Sequence, residues 1–391
     1  MPKCVTNKPR ILLLSGYDAA SHRYWRNTLV KGIEAFDWTE IALPDRHFSW
    51  RVRGNSLSFA FQHKDVLSRD YDCLIATSMV DLASLRGFVP QLANIPNLIY
   101  FHENQLDYPA KESPELKAAF QNDVSAQLTS IYTLLCADKT LFNSKYNQRT
   151  FFSGAQKLLN KLPDGIPKDL LKGMQQDSQV LPVPISEKLI LNRQNFKHKK
   201  NMDSRGPLQI VWNHRWEYDK QPEIFFNAML LLKQQGIQFK LHVLGQSFRN
   251  KPACFDKAKN SLQDEIQTWG YQPSEDYYRI LSESDFVIST ALHDFQGLSM
   301  LEAILSGCYP LAPNRVAYPE YMQDNNLYQV NGKLDEAESL FAKLMVIIAQ
   351  GELPAPPKQL VEPYLDGHLL AVYRETIMAS INLFKQTNPS T

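Results

Sequence analysis

Short apolar runs alternate with longer amphipathic segments along almost the whole chain of 391 residues. The apolar runs are continuous, as in ILLL at 11–14, which is typical of strands buried on both faces of a parallel sheet. In the longer segments apolar residues recur at helical spacing. The pattern predicts strands at 10–16, 39–44, 72–78, 97–103, 139–144, 178–184, 208–214, 239–245, 264–271, 285–291, 309–313 and 327–330.

Helices are predicted between the strands, at 22–36, 79–89, 113–137, 222–236, 274–284, 298–307 and 367–386. A polar, basic stretch at 186–206 interrupts the alternation. We therefore predict an α/β protein with two doubly wound parallel-sheet domains, 1–185 and 207–365, joined by that linker. The last segment, 366–391, is predicted to cross back to the first domain. Ligands are expected at the carboxyl ends of the strands, in a cleft between the domains.

Composition narrows the class of protein. Hydrophobic residues make up 44% and charged residues 21%, as in a soluble globular protein. Because the net charge is only +1, nucleic acid or an anionic membrane could be bound only through a local basic patch. The basic run at 196–201 is such a patch or simply part of the linker. Neither a secretory signal nor an apolar run of membrane-spanning length is visible, and the five cysteines are scattered. We expect a cytoplasmic protein without disulfides.

Two cations follow the first strand of the second domain. Arg215 and Lys220 lie between the strand at 208–214 and a helix that begins near Pro222, a favoured first-turn residue. A guanidinium fork and a movable ammonium at this position suit a diphosphate. They are equally consistent with ordinary surface cations.

The stretch TALHDFQGLSMLEA at 290–303 combines a glycine with two acids. Gly297 allows close backbone approach, and the N–H groups of Leu298 and Ser299 begin a helix, where unpaired donors favour an anion. Glu302 is placed to accept hydrogen bonds from paired sugar hydroxyls, and Asp294 to reach a second sugar. The alternative for Glu302 is a solvated helix acid.

Several common motifs are missing. The sequence has no P-loop, no G-x-G-x-x-G and no G-x-S-x-G, which disfavours simple nucleotide-binding and hydrolase classes. Asp70 and Asp72 form a D-x-D that holds a metal in some nucleotide-sugar enzymes, but it leads straight into a predicted strand. We predict no essential metal.

The acid-x7-acid element resembles the E-x7-E signature of retaining GT-B glycosyltransferases, with Asp294 in place of the first glutamate. A longer similarity, to the tRNA-queuosine α-mannosyltransferase family, rests on these segments: SGYDAASHRYW (15–25), LPDRHFSWRVRGNSLSFA (43–60), LIYFHENQLDYP (98–109), LFNSKYNQRTF (141–151), KLPDGIPKD (161–169) and GCYPLAPNRVAYPE (307–320). The resemblance implies transfer of mannose from GDP-mannose to queuosine in a tRNA anticodon, of the tRNA-Asp type, with retention. It implies no membrane and no DNA partner.

The resemblance also assigns roles to residues. Glu302 would hold the nucleotide ribose, and the leaving diphosphate itself would accept the proton. Catalytic residues would be His102, Glu103, Arg215, Lys220 and Asp294. The donor would be bound by Gly16, Ser21, His22, Asn213, Arg215, Lys220, Gly245, Tyr271, Phe295, Gly297, Leu298, Ser299 and Glu302.

The acceptor would be bound by His47, Trp50, Arg51, Arg53, Asn104 and Asn143. Rings interleaved with cations suit an anticodon loop, and an aromatic anchor with solvated arginines is the plainer interpretation. Ser21, at a predicted helix start, is also a candidate N-cap. Two rival functions stay open: a GT-B enzyme with another donor or a non-tRNA acceptor, and a catalytically silent RNA-binding protein.

Overall fold

The computed structural model describes residues 8–107, 124–163, 165–167, 169–187, 206–247, 251–330, 335–352 and 354–388. The chain divides into two compact units, residues 1–184 with 366–391, and residues 185–365. Most of the predicted linker, including the basic run at 196–201, lies outside the described residues, as does the first part of the predicted helix 113–137.

The first unit contains a parallel sheet of six strands in the order β2-β1-β3-β4-β5-β6. The strands are β1 Arg10–Ser15, β2 Asp37–Ala42, β3 Cys73–Thr77, β4 Asn97–Phe101, β5 Lys139–Phe142 and β6 Gln179–Val180. The helices are α1 Ala20–Gly32, α2 Phe48–Leu57, α3 Lys64–Leu67, α4 Leu82–Phe88, α5 Val124–Leu135, α6 Lys145–Leu159 and α7 Lys172–Asp177, with a π-helical turn at Ser58–Gln62 and a 3-10 turn at Pro90–Asn94.

The second unit contains a six-stranded parallel sheet in the order β12-β11-β10-β7-β8-β9. Its strands are β7 Leu208–Asn213, β8 Phe239–Leu244, β9 Ile266–Gly270, β10 Phe286–Ile288, β11 Tyr309–Pro313 and β12 Leu327–Tyr328. The helices are α8 Pro222–Gln234, α9 Cys254–Ser261, α10 Ser274–Glu283, α11 Leu298–Ser306 and α12 Glu336–Ile348. Short 3-10 turns lie at Tyr218–Lys220, Tyr318–Glu320, Asp324–Asn326, Lys358–Leu360 and Glu362–Tyr364.

The cores explain the continuous apolar strands. Along β7, Ile210 and Trp212 join one buried cluster, while Val211 between them joins another on the opposite face of the sheet. A strand covered on both faces requires apolar side chains in both directions, so the sequence shows no alternation. All twelve predicted strands are confirmed, with ends shifted by at most a few residues.

The C-terminal helix α13, Asp366–Thr387, belongs to the first unit, where the fold prediction puts it. Its Tyr373 is buried, donates to the carbonyl oxygens of Leu181 and Pro182, and accepts a hydrogen bond of 3.0 Å from the Trp25 indole. The described helices include none long and apolar enough to cross a membrane.

Candidate active site

Two adjacent strands of the second sheet deliver the acidic and basic groups predicted for the donor. The strand order reverses between β7 and β10, and ligands of doubly wound folds bind beyond the carboxyl ends of the strands at such a point. Lys220 follows β7, and its ammonium donates to the carbonyl oxygen of His293, which follows β10. The loop after β7 and the loop after β10 therefore lie together.

Lys220 is not a surface cation. The 3-10 turn Tyr218–Lys220 directs it inward, and its side chain is only 10% exposed. Its Nζ lies 3.4 Å from Asp219 Oδ2 and 4.0 Å from Asp294 Oδ2. Gln221 then adopts a left-handed conformation, and Pro222 opens α8 as predicted. The attraction of the two carboxylates offsets part of the cost of burying the ammonium.

Asp294 is tied to its own loop. Its Oδ1 accepts from the Gly297 N–H at 2.8 Å, and its Oδ2 accepts from the Tyr318 hydroxyl at 3.0 Å, which itself lies 2.7 Å from Ser289 Oγ. Burial alone would raise the pKa of Asp294, but Lys220 and these hydrogen bonds bring it below its ordinary value. Asp294 is thus an ionised anchor for Lys220 and Gly297.

Two glycines are required by close packing at this edge. Gly297 has φ of 79°, and a Cβ there would lie 2.6 Å from the Tyr321 hydroxyl. Gly245, at the end of β8, has φ of 122°, and a Cβ would lie 1.9 Å from the His214 carbonyl oxygen. At Gly245 a side chain would require the backbone to move, and at Gly297 it would require a strained backbone and a shift of the Tyr321 side chain.

Glu302 lies on α11 with its carboxylate held by two tyrosines of α10. The Tyr277 hydroxyl is 3.2 Å from Oε2 and the Tyr278 hydroxyl is 3.1 Å from Oε1. Burial raises the pKa of Glu302 to about 7, although both hydrogen bonds act to lower it. The interpretation of Glu302 as a solvated helix acid is therefore wrong.

The other cation, Arg215, is half exposed, with Nη1 3.0 Å from Glu217 Oε2. Two buried imidazoles nearby add no charge. Burial, and then Lys220, lower the pKa of His214 to about 3 and that of His293 to about 4. The positively charged groups at this edge are Arg215 and Lys220, and the amino end of α11 adds a partial positive charge.

The remaining predicted donor residues of this unit differ in exposure. Asn213 ends β7, and its amide donates to the Tyr277 hydroxyl and the Ser299 carbonyl oxygen. Phe295 is buried against the His293 ring, and Leu298 is partly buried. Tyr271, after β9, is 71% exposed.

In the first unit, His22 and His102 form a buried pair. Their ring centroids lie 4.1 Å apart, and Trp25 packs edge-on to His102 at 4.9 Å. Among the described residues, no group hydrogen-bonds either ring nitrogen of either histidine. Burial lowers the pKa of His22 to about 4 and lowers that of His102 well below its ordinary value. Both imidazoles are neutral at pH 7.

The two asparagines predicted for the acceptor are buried in one network. Asn143 donates to the His102 carbonyl oxygen and accepts from Asn147, while Asn104 donates to Asn147 and Thr150. Asn104 Oδ1 also accepts from two backbone N–H groups of its own loop. These amides hold the segment after β4, and Glu103 lies within it with Oε1 3.4 Å from the Gln105 amide.

The first turn of α1 departs from the prediction in one respect. The helix begins at Ala20 with Ala19 as cap and no side-chain capping bond, so Ser21 is not an N-cap. The helix begins two residues earlier than the pattern indicated, which places Ser21 inside the first turn. Gly16, before it, donates its N–H to Thr77 Oγ1, and a Cβ there would lie 3.0 Å from the Met79 carbonyl oxygen.

The predicted RNA-contacting residues lie at the start of α2. His47 is exposed and in a left-handed conformation, and Trp50 is 57% exposed with its indole against Gly54. Arg53 Nη1 lies 3.4 Å from Asp81 Oδ2, and Arg51 is half-buried. The Trp50 ring is thus exposed enough to stack on a base, whereas the Arg53 guanidinium already forms an ion pair with Asp81.

Four further side chains complete the second-unit site, and the sequence pattern did not predict them: Asp219, Tyr277, Tyr278 and Tyr318. Only Asp219 had a signal, since it directly precedes Lys220. Within the described ranges, no three His, Cys, Asp or Glu side chains are grouped to hold a metal. Asp72 instead accepts from the Arg10 N–H and from Lys385.

Comparison with solved structures shows the fold. Sucrose-phosphate synthase from Thermosynechococcus elongatus superposes with a TM-score of 0.66 at 14% identity, covering 98% of this chain and 100% of that one. Anabaena HepE in complex with UDP superposes with a TM-score of 0.64 at 11% identity, covering 95% and 100%. The predicted GT-B class, with its two Rossmann-like parallel-sheet domains, is confirmed.

Comparison of sequences shows the family. Residues 10–185 match the model described as tRNA-queuosine alpha-mannosyltransferase N-terminal, and residues 192–358 match glycosyl transferases group 1. An amylovoran biosynthesis glycosyltransferase of Erwinia amylovora is 25% identical over 259 residues, 58% of this chain and 62% of its own. The tRNA-queuosine alpha-mannosyltransferase of Drosophila melanogaster is 33% identical over 342 residues, 86% of this chain and 88% of its own. The chain is a glycosyltransferase and belongs to the tRNA-queuosine alpha-mannosyltransferase family.

Proposed function

We propose that this enzyme transfers mannose from GDP-mannose to queuosine in the anticodon of a tRNA of the tRNA-Asp type, with retention at the anomeric carbon. The similarity to the Drosophila tRNA-queuosine alpha-mannosyltransferase over most of both chains carries the proposal. The reaction takes place in the cytoplasm, without a metal.

On the donor side, Arg215, Lys220 and the amino end of α11 stabilise the departing diphosphate. Arg215 is paired with Glu217, and Lys220 is held between Asp219 and Asp294. A preorganised ammonium needs little rearrangement as charge develops on the leaving group. The proton of the acceptor hydroxyl passes to the leaving phosphate, so no enzyme nucleophile is required. Glu302 accepts hydrogen bonds from the ribose.

On the acceptor side, the neutral imidazole of His102 hydrogen-bonds a sugar hydroxyl, because its ring nitrogens are not engaged by described protein groups. Trp50 stacks on a base of the anticodon loop, and Arg51 and Arg53 meet phosphates. Asn104 and Asn143 act by holding the segment that carries His102 and Glu103.

The test is incubation of the enzyme with queuosine-containing tRNA and a panel of nucleotide-sugars, followed by mass measurement of the nucleosides. We expect a gain of one hexose on queuosine from GDP-mannose alone. Transfer from another donor would correct the donor assignment. Turnover of a donor without a tRNA product would favour a different acceptor, and absence of donor binding would favour an RNA-binding protein without catalysis.

A further inference from the structure

Two neighbouring tyrosines converge on one carboxylate in the second unit. Side chains at consecutive helix positions point about 100° apart and do not normally face one group. Tyr277 and Tyr278 nevertheless reach separate oxygens of Glu302, at 3.2 and 3.1 Å. The arrangement depends on α10 packing against α11 with Glu302 at the point of contact.

The hydrogen bonds around Tyr277 determine which of its partners receives its hydroxyl proton. Asn213 Nδ2 donates to the Tyr277 hydroxyl at 3.1 Å and to the Ser299 carbonyl oxygen at 2.9 Å. Because the Tyr277 oxygen accepts from Asn213, its own proton is free to point at Glu302. This series of hydrogen bonds, from Asn213 at the end of β7 through Tyr277, therefore fixes the Glu302 carboxylate relative to the first turn of α11.

The carboxylate has no cationic partner in the part of the chain that the structure describes. The titratable groups that face it are the two tyrosines, and Asn213 is the nearest neutral amide of β7. Burial works against the charged form, while hydrogen bonds to the charged form favour it. The phenolic donors thus oppose the effect of burial on the pKa of this acid, which lies at about 7.

We propose that Tyr277 and Tyr278 are positioning residues for the nucleotide ribose, acting by orienting Glu302 and favouring its carboxylate form. The inference rests on the proposed function, in which Glu302 accepts from the ribose. An ionised carboxylate offers about four lone-pair directions. The tyrosines take two of them, and the remaining two accept the paired ribose hydroxyls.

The first experiment observes Glu302 directly. Infrared difference spectra between wild type and Glu302→Gln isolate the carboxylate band, and its loss with falling pH gives the midpoint. We expect the midpoint of wild type at about 7 to rise by about one pH unit in Tyr277→Phe or in Tyr278→Phe, and further in the double variant. The control is Tyr309→Phe, at the amino end of β11, which leaves the midpoint unchanged. Equal midpoints in all variants overturn the proposal.

The second experiment measures ribose recognition. Binding of GDP-mannose is compared with that of its 2′,3′-dideoxyribose analogue at pH 7.0 and 8.5, since neither phosphate of these diesters titrates in that range. In wild type the loss of both hydroxyls should weaken binding by roughly 10- to 100-fold, at about one hydrogen bond each. In the double tyrosine variant this ratio should approach one at pH 7.0 and recover partly at pH 8.5.

A ratio in the double variant equal to that of wild type overturns the proposal even if Glu302 titrates as expected. Failure of GDP-mannose to bind wild type is a different result, because it contradicts the proposed donor. In that case the infrared midpoint by itself decides whether the tyrosines hold the carboxylate.

Discussion

The two units place different chemistry at the carboxyl ends of similar sheets. In the second unit the central feature is an ion cluster, Lys220 between Asp219 and Asp294. In the first unit it is the neutral His22–His102 stack, while ion pairs such as Arg26–Asp18 and Arg53–Asp81 lie elsewhere in the unit. A diphosphate leaving group requires fixed charge, whereas sugar hydroxyls and a nucleobase require neutral donors and acceptors. Similar parallel sheets thus carry different side chains in the loops that follow their strands, and these loops hold the residues proposed for the two substrates.

Removing the central charge of the second unit should have the largest effect. Lys220→Ala leaves two carboxylates beside the proposed diphosphate position, so we expect transfer to fall by about 10³-fold. The measurement is single-turnover transfer to queuosine-containing tRNA, with far-ultraviolet circular dichroism to verify the fold. Lys233→Ala, at an exposed ion pair on α8, is the matched control. Near-normal turnover of Lys220→Ala would remove the donor-site assignment.

Removing a neutral group of the first unit should cost less. His102→Ala deletes a proposed hydrogen bond to the sugar without changing the charge, and we expect kcat to fall by about 10²-fold while donor binding is retained. His368→Ala, an exposed histidine on α13, should behave as wild type. A His102→Ala variant that loses donor affinity instead would show that this histidine holds the donor rather than assisting transfer.

The neutrality of the first-unit pair is itself testable by pH. The folded His22 binds a proton with a pKa of about 4, below the ordinary value of 6.5. The unfolded chain therefore takes up a proton first as pH falls, and stability is lost between pH 6.5 and 4, by about 3 kcal/mol. The free energy of unfolding is measured at pH 7 and 4.5 by amide hydrogen exchange in β1 and β4. His22→Phe should reduce the dependence of this unfolding free energy on pH. An unchanged dependence would contradict the assignment of a buried, neutral His22.

The exposed indole of the first unit should affect RNA affinity more than chemistry. Trp50→Ala should weaken tRNA binding by about tenfold if one base stacks on the ring. Phe61→Ala, at another exposed ring of the same unit, is the control. Binding is measured by fluorescence anisotropy at several salt concentrations. Equal losses in both variants would argue against a specific stacking position.

Chelation should have the smallest effect. If Arg215, Lys220 and the amino end of α11 stabilise the leaving diphosphate, EDTA should leave the transfer rate unchanged. The rate is followed with and without added Mg²⁺ after extensive dialysis. Complete loss of activity in EDTA, restored by a divalent cation, would contradict the metal-free mechanism.

The strands were predictable because a strand buried on both faces requires apolar residues at successive positions. Ile210, Val211 and Trp212 are apolar in succession, and each enters a core. Several helices were not predicted, among them one with a weak amphipathic pattern. The helix Phe48–Leu57 mixes Gly54 with serines and arginines, and it forms because its packing against α4 and α5 outweighs poor intrinsic propensity.

Charge burial was harder to predict than the fold. The sequence shows Lys220 in a polar stretch, where a solvated lysine is the ordinary expectation. Its burial depends on the carbonyl of His293 and on Asp294, which are more than 70 residues away along the chain. Local pattern carries no information about such a pairing.

By itself, the sequence determined the α/β class and the strand positions, because periodicity is a local property. It also singled out residues 213–222 and 290–303 as candidates for the donor site, from the composition of their loops. The tertiary structure alone decided that Asp294 anchors its own loop and Lys220, and that two tyrosines hold Glu302. These contacts join separate elements whose meeting depends on strand order and helix packing. Their energies depend on burial, which is a property of the folded chain and not of any short segment.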